Sequence, residues 1–186
     1  FDRIELGTYL IAGALVGKKI ILKKINPLII NTEIKILKKM GVRMKVEKNK
    51  ITVFESKKIN SINIKTEPYP GFPTDLQAQI MVLMSEAIGV SKVKESIFEN
   101  RFMHVPELKR LGAKINTKNN IATISGPINL SGAEVMATDL RASVSLVLAA
   151  LVADNTTTIN RVYHLDRGYE NLEKKLRKCK ANINRI

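Results

Sequence analysis

PYPGFPTDLQAQ, at residues 68–79, combines a stiff turn with the start of a helix. Its three prolines exclude a continuous helix or a central strand, because proline fixes φ and lacks an N–H donor. Thr74, followed three residues later by Gln77, predicts a capping box that opens a helix over residues 74–88, with Asp75 in its first turn. The segment would deliver a carboxylate to the exposed start of a buried helix, although an ordinary capped loop explains the same residues.

This motif occurs again in the chain, and a second motif accompanies it. TDLQA at 74–78 returns as TDLRA at 138–142, each before a long apolar run, and Asp2 precedes a third such run at 4–16. A lysine-rich segment is also found three times: LKKMGVRM at 37–44, LKRLGAKI at 108–115 and LRKCKANI at 176–183. The spacings of 71 and 68 residues predict three copies of one supersecondary unit.

The predicted unit is βαβαββ, with copies at about 1–58, 59–126 and 127–186. In each copy the first helix is apolar on all sides and the second is amphipathic. The predicted helices span residues 4–16, 27–40, 74–88, 103–111, 139–152 and 167–179. The predicted strands span residues 18–24, 42–46, 51–54, 62–66, 91–96, 113–116, 121–125, 128–130, 156–162 and 181–184.

A helix without a polar face has to be buried on all sides, so we expect the three apolar helices to pack together at the centre. Their N-termini would then lie at one end of the molecule, with Asp2, Asp75 and Asp139. The first unit lacks a leading strand and the third lacks a closing strand. We therefore expect the chain to be cut from something longer, with an incomplete unit at each end.

Composition limits the class of protein. A hydrophobic content of 45% over 186 residues indicates a folded domain with a sizeable core. No apolar run approaches the roughly 18–20 residues of a membrane span, and no signal-peptide pattern is found. The one cysteine, Cys179, excludes an internal disulfide and fits a reducing, cytoplasmic compartment. No Cys/His cluster has metal-ligand spacing, and we expect no metal and no cofactor.

The net charge of +14 is compatible with a partner such as nucleic acid, anionic lipid or a phosphorylated small molecule. The charge comes mainly from lysines on the amphipathic helices, without the aromatic signature of an RNA-binding surface. A solvated lysine-rich surface is the simpler explanation. A basic module that binds nucleic acid or a protein stays open as an alternative function.

Four segments carry a family resemblance: PYPGFPTDLQAQ, IFENRFMHVPELKRLGA at 97–113, LSGAEVMATDLRAS at 130–143 and YHLDRGYENLEKKLR at 163–177. They resemble the UDP-N-acetylglucosamine 1-carboxyvinyltransferases, a family of enolpyruvyl transferases, and the likeness runs from Asp2 to Ile186. The related enolpyruvyl transferase of the shikimate pathway shares the fold and is the alternative within this class. We expect that enzyme to lack the NRFMHVPEL segment.

The resemblance implies an α/β fold, an inside-out α/β barrel of three βαβαββ units that is incomplete at both ends. Residues 1–186 would form a single domain, the C-terminal half of the enzyme. The enzyme would transfer enolpyruvyl from phosphoenolpyruvate to the 3-hydroxyl of UDP-N-acetylglucosamine, the first committed step of peptidoglycan synthesis. The missing N-terminal domain would supply the catalytic acid, so we expect the chain alone to be inactive and to bind neither nucleic acid nor membrane.

The resemblance also implies roles for three acids and one main-chain group. Asp75 resembles the carboxylate that contacts the sugar 3-hydroxyl and takes its proton. Asp139 resembles a second acid beside the reacting carbon, and Asp2 a supporting acid at the domain entrance. Ile97 resembles a main-chain contact to the amino sugar. Without the resemblance, Asp75 and Asp139 could be ordinary charges at helix N-termini, each worth about 0.3–1 kcal/mol.

Three arginines complete the implied site. Arg101 and Arg141 resemble the pair that grips the carboxylate of phosphoenolpyruvate, and Arg167 resembles an arginine that approaches its phosphate. Arginine suits these roles because its planar guanidinium binds carboxylate and phosphate through two parallel hydrogen bonds. Arg101 could equally be a surface residue. We interpret His104 and His164 as structural, and Cys179, at the end of a surface helix, as unrelated to catalysis.

Overall fold

The computed structural model describes residues 2–186. The helices of this part are α1 Arg3–Val16, α2 Asn31–Lys39, α3 Gln77–Ser85, α4 Val105–Arg110, α5 Val144–Val152, α6 Tyr163–Asp166 and α7 Leu172–Lys178. The strands are β1 Lys19–Lys23, β2 Met44–Glu47, β3 Lys50–Phe54, β4 Asn63–Lys65, β5 Gly89–Lys94, β6 Lys114–Lys118, β7 Ile121–Gly126, β8 Glu134–Met136 and β9 Thr158–Asn160. Short 3₁₀ helices at Pro27–Ile30 and Thr74–Leu76 precede α2 and α3.

The strands form three sheets whose pairing recurs along the chain. The first sheet has the order β1-β3-β2 and is antiparallel throughout. The second has the order β4-β5-β7-β6, in which β4 is parallel to β5 and the other neighbours are antiparallel. The third consists of β8 parallel to β9. Thus β5-β7-β6 repeats the first sheet, and β8-β9 repeats the parallel β4-β5 pair with a helix between the strands.

The helices α1, α3 and α5 pack against one another at the centre. All nine residues of α3 are buried, as its lack of a polar face predicts. Gly7 of α1 lies against the side chain of Leu76, which occupies the space that a Cβ atom at position 7 would need. The predicted central position of the three apolar helices is confirmed, and one hydrophobic cluster joins them to the sheets.

The amphipathic helices cover the outside, each burying a few apolar side chains. α2 buries Ile34 and Leu37, and α4 buries Val105 and Leu108. The helix predicted over residues 167–179 is shorter, because only Leu172–Lys178 are helical there, and a separate short helix, α6, ends at Asp166 just before the predicted start. The two helices are separated by a turn in which Asn171 has a φ of 49°, a left-handed conformation that a helix interior cannot contain.

Two central helices begin later than predicted. Residues Thr74–Leu76 are 3₁₀-helical and α3 begins at Gln77, while residues 140–143 form a turn and α5 begins at Val144. In the second case the side chain of Asp139 accepts the N–H groups of Arg141 and Ala142. Such a local side-chain turn competes with α-helical hydrogen bonding.

Two predicted strands are wrong. Residues 128–130 form no strand, because Ile128 donates its N–H to the carbonyl of Ser85 at the end of α3. The strand that pairs with β9 is β8, further along the chain. Residues 181–184 are also irregular, and Ala181 donates its N–H to the carbonyl of Leu176 as part of the end of α7. Across residues 2–186, no helix is both long enough and apolar enough to cross a membrane.

Candidate active site

Asp75 and Arg101 form an ion pair at the start of the second central helix. The Nη2 atom of Arg101 lies 2.8 Å from Oδ1 of Asp75. Asp75 is held in the 3₁₀ helix that follows the proline-rich loop, and that loop is anchored by a bridge between Thr66 and Phe72. The Asp75 carboxylate is 39% exposed, so a ligand can reach it while the pair stays together.

The predicted capping box at this helix is wrong. Pro73 occupies the N-cap position, and no side chain caps the helix. The Thr74 hydroxyl instead donates to Oε2 of Glu95, 2.9 Å away, and Nε2 of Gln77 is buried without a hydrogen-bond partner among residues 2–186. Thr74 therefore connects the start of the helix to the end of β5.

A second acid–arginine pair joins Asp2 to Arg141. The Nη2 atom of Arg141 lies 2.6 Å from Oδ2 of Asp2, and its Nη1 donates to the carbonyl of Gly168. Asp2 also caps α1, since its Oδ1 accepts the N–H groups of Ile4 and Glu5. Burial alone would raise the pKa of Asp2, but the hydrogen bond from Arg141 and those from the backbone outweigh it and lower the pKa.

Asp139 is tied into the turn before α5. Its Oδ1 accepts the N–H of Arg141 at 2.8 Å, while the hydroxyl of Ser143 accepts the N–H groups of Thr138 and Asp139. This reciprocal arrangement fixes both the carboxylate and the start of the Arg141 side chain. Ser143 is fully buried, so the turn is held from inside the protein.

A buried polar cluster links the N-terminal ends of α1 and α3 to the loop between α6 and α7. The hydroxyl of Tyr169 lies 3.0 Å from that of Thr8 and accepts a hydrogen bond from Nε2 of Gln79 at 3.2 Å. The same Nε2 donates to the carbonyl of Asp75 at 2.8 Å. The guanidinium of Arg141 lies 5.3 Å from the centre of the Tyr169 ring, so the cluster also supports Arg141. Burial raises the pKa of Tyr169.

His104 lies at the N-cap position of α4, three residues after Arg101. It is fully buried, and neither ring nitrogen has a hydrogen-bond partner among residues 2–186. Burial lowers its pKa to about 4; the negative charge of Asp139 opposes this shift and the positive charge of Arg101 adds to it. His104 therefore stays neutral at physiological pH, and the charges that act on it come from both halves of the candidate site.

The remaining two predicted site residues lie at the surface of this region. The Ile97 N–H is used internally, as it donates to Oε1 of Glu95 at 2.8 Å. An open groove of about 760 Å³ runs beside Ile97 and the proline-rich loop. Arg167 is exposed at the C-terminal end of α6, and its side chain makes no hydrogen bond or ion pair with the rest of residues 2–186. Residues 2–186 contain no group of three acidic, histidine or cysteine side chains arranged to hold a metal ion.

The N-terminal ends of the three central helices thus carry Asp2, Asp75 and Asp139. Two of these carboxylates are paired with guanidiniums, Asp75 with Arg101 and Asp2 with Arg141. A family model of EPSP synthase (3-phosphoshikimate 1-carboxyvinyltransferase) matches residues 1–176. The chain belongs to the EPSP synthase family. Membership in the EPSP synthase family agrees with the predicted α/β enolpyruvyl transferase fold.

Curated relatives in the EPSP synthase family are named UDP-N-acetylglucosamine 1-carboxyvinyltransferase. The one from Pelagibacter ubique (strain HTCC1062) is 62% identical over 185 residues, and the match covers all of this chain and 44% of the relative. The one from Bartonella tribocorum is 54% identical over 188 residues, with the same coverage. The predicted resemblance is confirmed, and the chain spans less than half the length of these relatives.

Two solved structures resemble the chain in fold. The enolpyruvyl transferase NikO from Streptomyces tendae superimposes with a TM-score of 0.89 at 30% identity, covering 98% of this chain and 44% of NikO. An EPSP synthase from Acinetobacter baumannii has a TM-score of 0.76 at 17% identity, and the match covers 95% of this chain and 45% of the EPSP synthase chain. The second structure shares the fold.

Two structural residues of the site were missed by sequence reasoning. Glu95, which is 2% exposed, follows a strand with alternating lysines and is indistinguishable in the sequence from a solvated surface charge. Tyr169 lies in the YHLDRGYE segment, but its hydroxyl meets partners 161 and 90 residues away in the chain. No local pattern signals contacts of that separation. The repeat of TDL motifs could have suggested only that the helix ends converge.

Proposed function

We propose that the chain is the C-terminal half of an enzyme that transfers enolpyruvyl from phosphoenolpyruvate to the 3-hydroxyl of UDP-N-acetylglucosamine. The observation that carries this proposal is the pairing of Asp75 with Arg101 at 2.8 Å, beside the Asp2–Arg141 pair, where three buried helices begin. Identity of 62% to a relative named for this reaction supports the choice of substrate.

In the proposed reaction Asp75 takes the proton of the sugar hydroxyl as its oxygen bonds to the central carbon of phosphoenolpyruvate, and the acid from the remainder of the enzyme protonates the methylene carbon. Loss of a proton from the methylene carbon and departure of phosphate then restore the double bond. The attacked carbon develops cationic character, which the nearby carboxylate of Asp139 stabilises. A positioned carboxylate is a suitable general base, because proton transfer in the transition state requires a group within hydrogen-bond reach. Its ion pair with Arg101 keeps the Asp75 carboxylate oriented in the absence of substrate.

Arg101 and Arg141 are proposed to bind the carboxylate of phosphoenolpyruvate, and Arg167 its phosphate. Each of the first two arginines is neutralised by an aspartate in this structure. The substrate anion therefore enters a site in which positive and negative charges are already balanced, and it competes with a carboxylate for each guanidinium. Arg167, without an internal partner among residues 2–186, is available to move toward the phosphate.

The proposal includes the domain organisation. Residues 1–186 act as one domain of three repeat units, at about 1–58, 59–126 and 127–186, and the remainder of the enzyme supplies the catalytic acid. The enzyme works in the cytoplasm at the first committed step of peptidoglycan synthesis. It needs no cofactor, because the reaction exchanges phosphate for a sugar oxygen without oxidation or reduction.

Phosphate release tests the proposed function. The full-length protein that contains this chain is incubated with phosphoenolpyruvate and either UDP-N-acetylglucosamine or shikimate 3-phosphate. We expect release with the nucleotide sugar alone, and no release by residues 1–186 in isolation. Release with shikimate 3-phosphate would favour the shikimate-pathway enzyme, and salt-dependent binding of DNA without phosphate release would favour a basic binding module.

A further inference from the structure

Glu95 is a buried carboxylate that accepts four hydrogen bonds. It directly follows β5 and is 2% exposed. Its Oε1 accepts the Thr66 hydroxyl at 2.8 Å and the N–H groups of Ile97 at 2.8 Å and Phe98 at 3.2 Å. Its Oε2 accepts the Thr74 hydroxyl at 2.9 Å. A buried carboxylate is tolerated where hydrogen bonds replace its lost water, and here two hydroxyls and two backbone N–H groups supply them.

The two carboxylate oxygens hold two different parts of the candidate site. Oε2 holds Thr74, the residue before Asp75, and so fixes the 3₁₀ helix that carries the proposed base. Oε1 holds the backbone of Ile97 and Phe98, at the start of the loop that carries Arg101. Thr66 also helps to hold the start of this loop, because its hydroxyl accepts the N–H of Ser96 at 2.9 Å. Glu95 thus joins the 3₁₀ helix to the loop, in addition to the ion pair between Asp75 and Arg101.

The alternating pattern of β5 explains why a glutamate at this position turns inward. Ser91 and Val93 are buried, while Lys92 and Lys94 are exposed. Glu95 continues the buried side of the strand, so its side chain passes between β4 and the proline-rich loop. An ionised carboxylate only accepts hydrogen bonds, which matches a site where all four neighbours donate.

We propose that Glu95 is a positioning residue that sets the distance between Asp75 and the Ile97–Arg101 loop. This inference rests on the proposed function, since Ile97 and Asp75 are its contacts to the sugar and the hydroxyl. Glu95 touches neither substrate. It holds the base through Oε2 and the sugar-binding loop through Oε1, so that the 3-hydroxyl of a bound sugar meets the carboxylate of Asp75.

Three variants of the full-length protein separate the two halves of this role. Glu95→Ala removes both links, and we expect KM for UDP-N-acetylglucosamine to rise and kcat to fall, each by roughly tenfold or more, because a misplacement of about 1 Å can cost ~10²-fold in rate. Thr74→Val removes the Oε2 link alone, and we expect it to lower kcat with little change in KM. Thr66→Val weakens the Oε1 half, and we expect it mainly to raise KM.

Glu33→Ala is the matched control, because Glu33 is equally buried at 2% exposure and lies on α2, outside the proposed site. A merely structural glutamate would lose thermal stability like the control and keep its kinetic constants below the melting temperature. Glu95→Gln retains an acceptor for the loop N–H groups, and we expect it to restore KM more than kcat. Kinetic constants in Thr74→Val and Thr66→Val equal to those of the wild type would overturn the proposal, even if Glu95→Ala does not fold.

A second measurement distinguishes this proposal from the proposed function. If the unaltered full-length protein shows no enolpyruvyl transfer, the proposed function fails. Hydrogen exchange of the Ile97 and Phe98 amides then decides the role of Glu95. We expect these amides to exchange slowly in the unaltered protein and in Glu95→Gln, which retains the acceptor, and rapidly in Glu95→Ala, with no change in Glu33→Ala. Equal exchange in all variants would overturn the positioning role.

Discussion

Two individual residues, Asp75 and His104, combine charge and burial in opposite ways. Asp75 is partly exposed and paired with Arg101, while His104 is buried without a hydrogen-bond partner in the described chain. A ligand can reach the carboxylate of Asp75, whereas the surroundings of His104 hold its ring neutral. Each makes a separate prediction.

Replacing Asp75 by asparagine distinguishes a general base from a helix-end charge. Asparagine keeps the size and much of the hydrogen bonding, but it cannot take a proton. In the full-length protein we expect turnover to fall by roughly 10²–10⁴-fold with the fold retained, as measured by steady-state kinetics beside a thermal melt. A helix-end charge would cost at most about 1 kcal/mol of stability. Turnover near that of the wild type would leave Asp139 as the candidate base.

His104 predicts a loss of stability in mild acid. Its pKa is about 4 in the folded protein and 6.5 in an unperturbed histidine, so the unfolded chain binds the extra proton first as pH falls. The contribution is fully present above pH 6.5 and decreases between pH 6.5 and about 4, by roughly 3 kcal/mol in total. Asp139 and Arg101 are the charged groups that act on it.

Urea unfolding of the chain at pH 7 and pH 4.5 measures this effect. We expect His104→Gln to show a smaller loss of unfolding free energy between the two pH values than the unaltered chain. His164→Gln serves as the control, because His164 lies on α6 and is only partly buried. If the unfolding free energy depends on pH identically in the unaltered chain and both variants, the predicted effect of His104 is wrong.

Among the secondary-structure elements, the N-terminal ends of α1 and α3 depend on a cluster that belongs to neither helix. Tyr169, from the loop before α7, contributes the hydroxyl that meets Thr8 and Gln79. Its removal leaves two buried polar side chains with fewer partners. The helix ends and the loop between α6 and α7 are therefore expected to be energetically coupled.

Tyr169→Phe tests that coupling by deleting one oxygen atom. We expect the free energy of unfolding to fall by about 1–3 kcal/mol, since buried polar groups lose a partner, while the aromatic ring under Arg141 remains. Tyr163→Phe is the control, as Tyr163 is 54% exposed and its hydroxyl accepts from Arg161 at the surface. A loss no larger than in the control, measured by chemical denaturation, would show that the cluster contributes little.

The sequence was sufficient to predict most helices and strands, but not the local geometry that packing between distant residues imposes. The repeated TDL motif at Asp75 and Asp139, together with the apolar runs predicted as helices over residues 4–16, 74–88 and 139–152, was sufficient to predict three central helices. The same reasoning wrongly predicted a capping box at Thr74, because nothing in the local sequence indicates that the Thr74 hydroxyl donates to Glu95. The ion pairs join residues 26 and 139 positions apart, and only the family resemblance suggested that these arginines act together.

For the chain as a whole, the net charge of +14 raises the question of whether substrate anions are attracted by many lysines or bound by a few arginines. The arginines of the candidate site are paired at 2.6–2.8 Å, whereas Lys38 lies at the exposed surface of α2. Short-range hydrogen bonds from a fixed guanidinium are specific, while a diffuse field is screened within about 10 Å at 0.1 M salt.

Arg141→Ala and Lys38→Ala separate these two contributions, as both remove one positive charge. In the full-length protein we expect Arg141→Ala to raise KM for phosphoenolpyruvate by about 10–100-fold, because a charge-assisted hydrogen bond contributes roughly 1.5–3 kcal/mol. We expect Lys38→Ala to leave KM for phosphoenolpyruvate nearly unchanged. Similar effects from both substitutions, measured at two salt concentrations, would instead favour diffuse attraction.

The β8-β9 pair is expected to make one half of the site open more often than the other. A parallel sheet of only two strands has little independent stability, and the turn with Asp139 and Arg141 lies between these strands, whereas Asp75 and Arg101 border a sheet of four. Local opening proceeds most readily where protection is weakest. The Arg141 side of the site will therefore detach from Asp2 transiently while the Asp75 side stays assembled, and amide exchange in β8 and β9 will be faster than in β5 and β7.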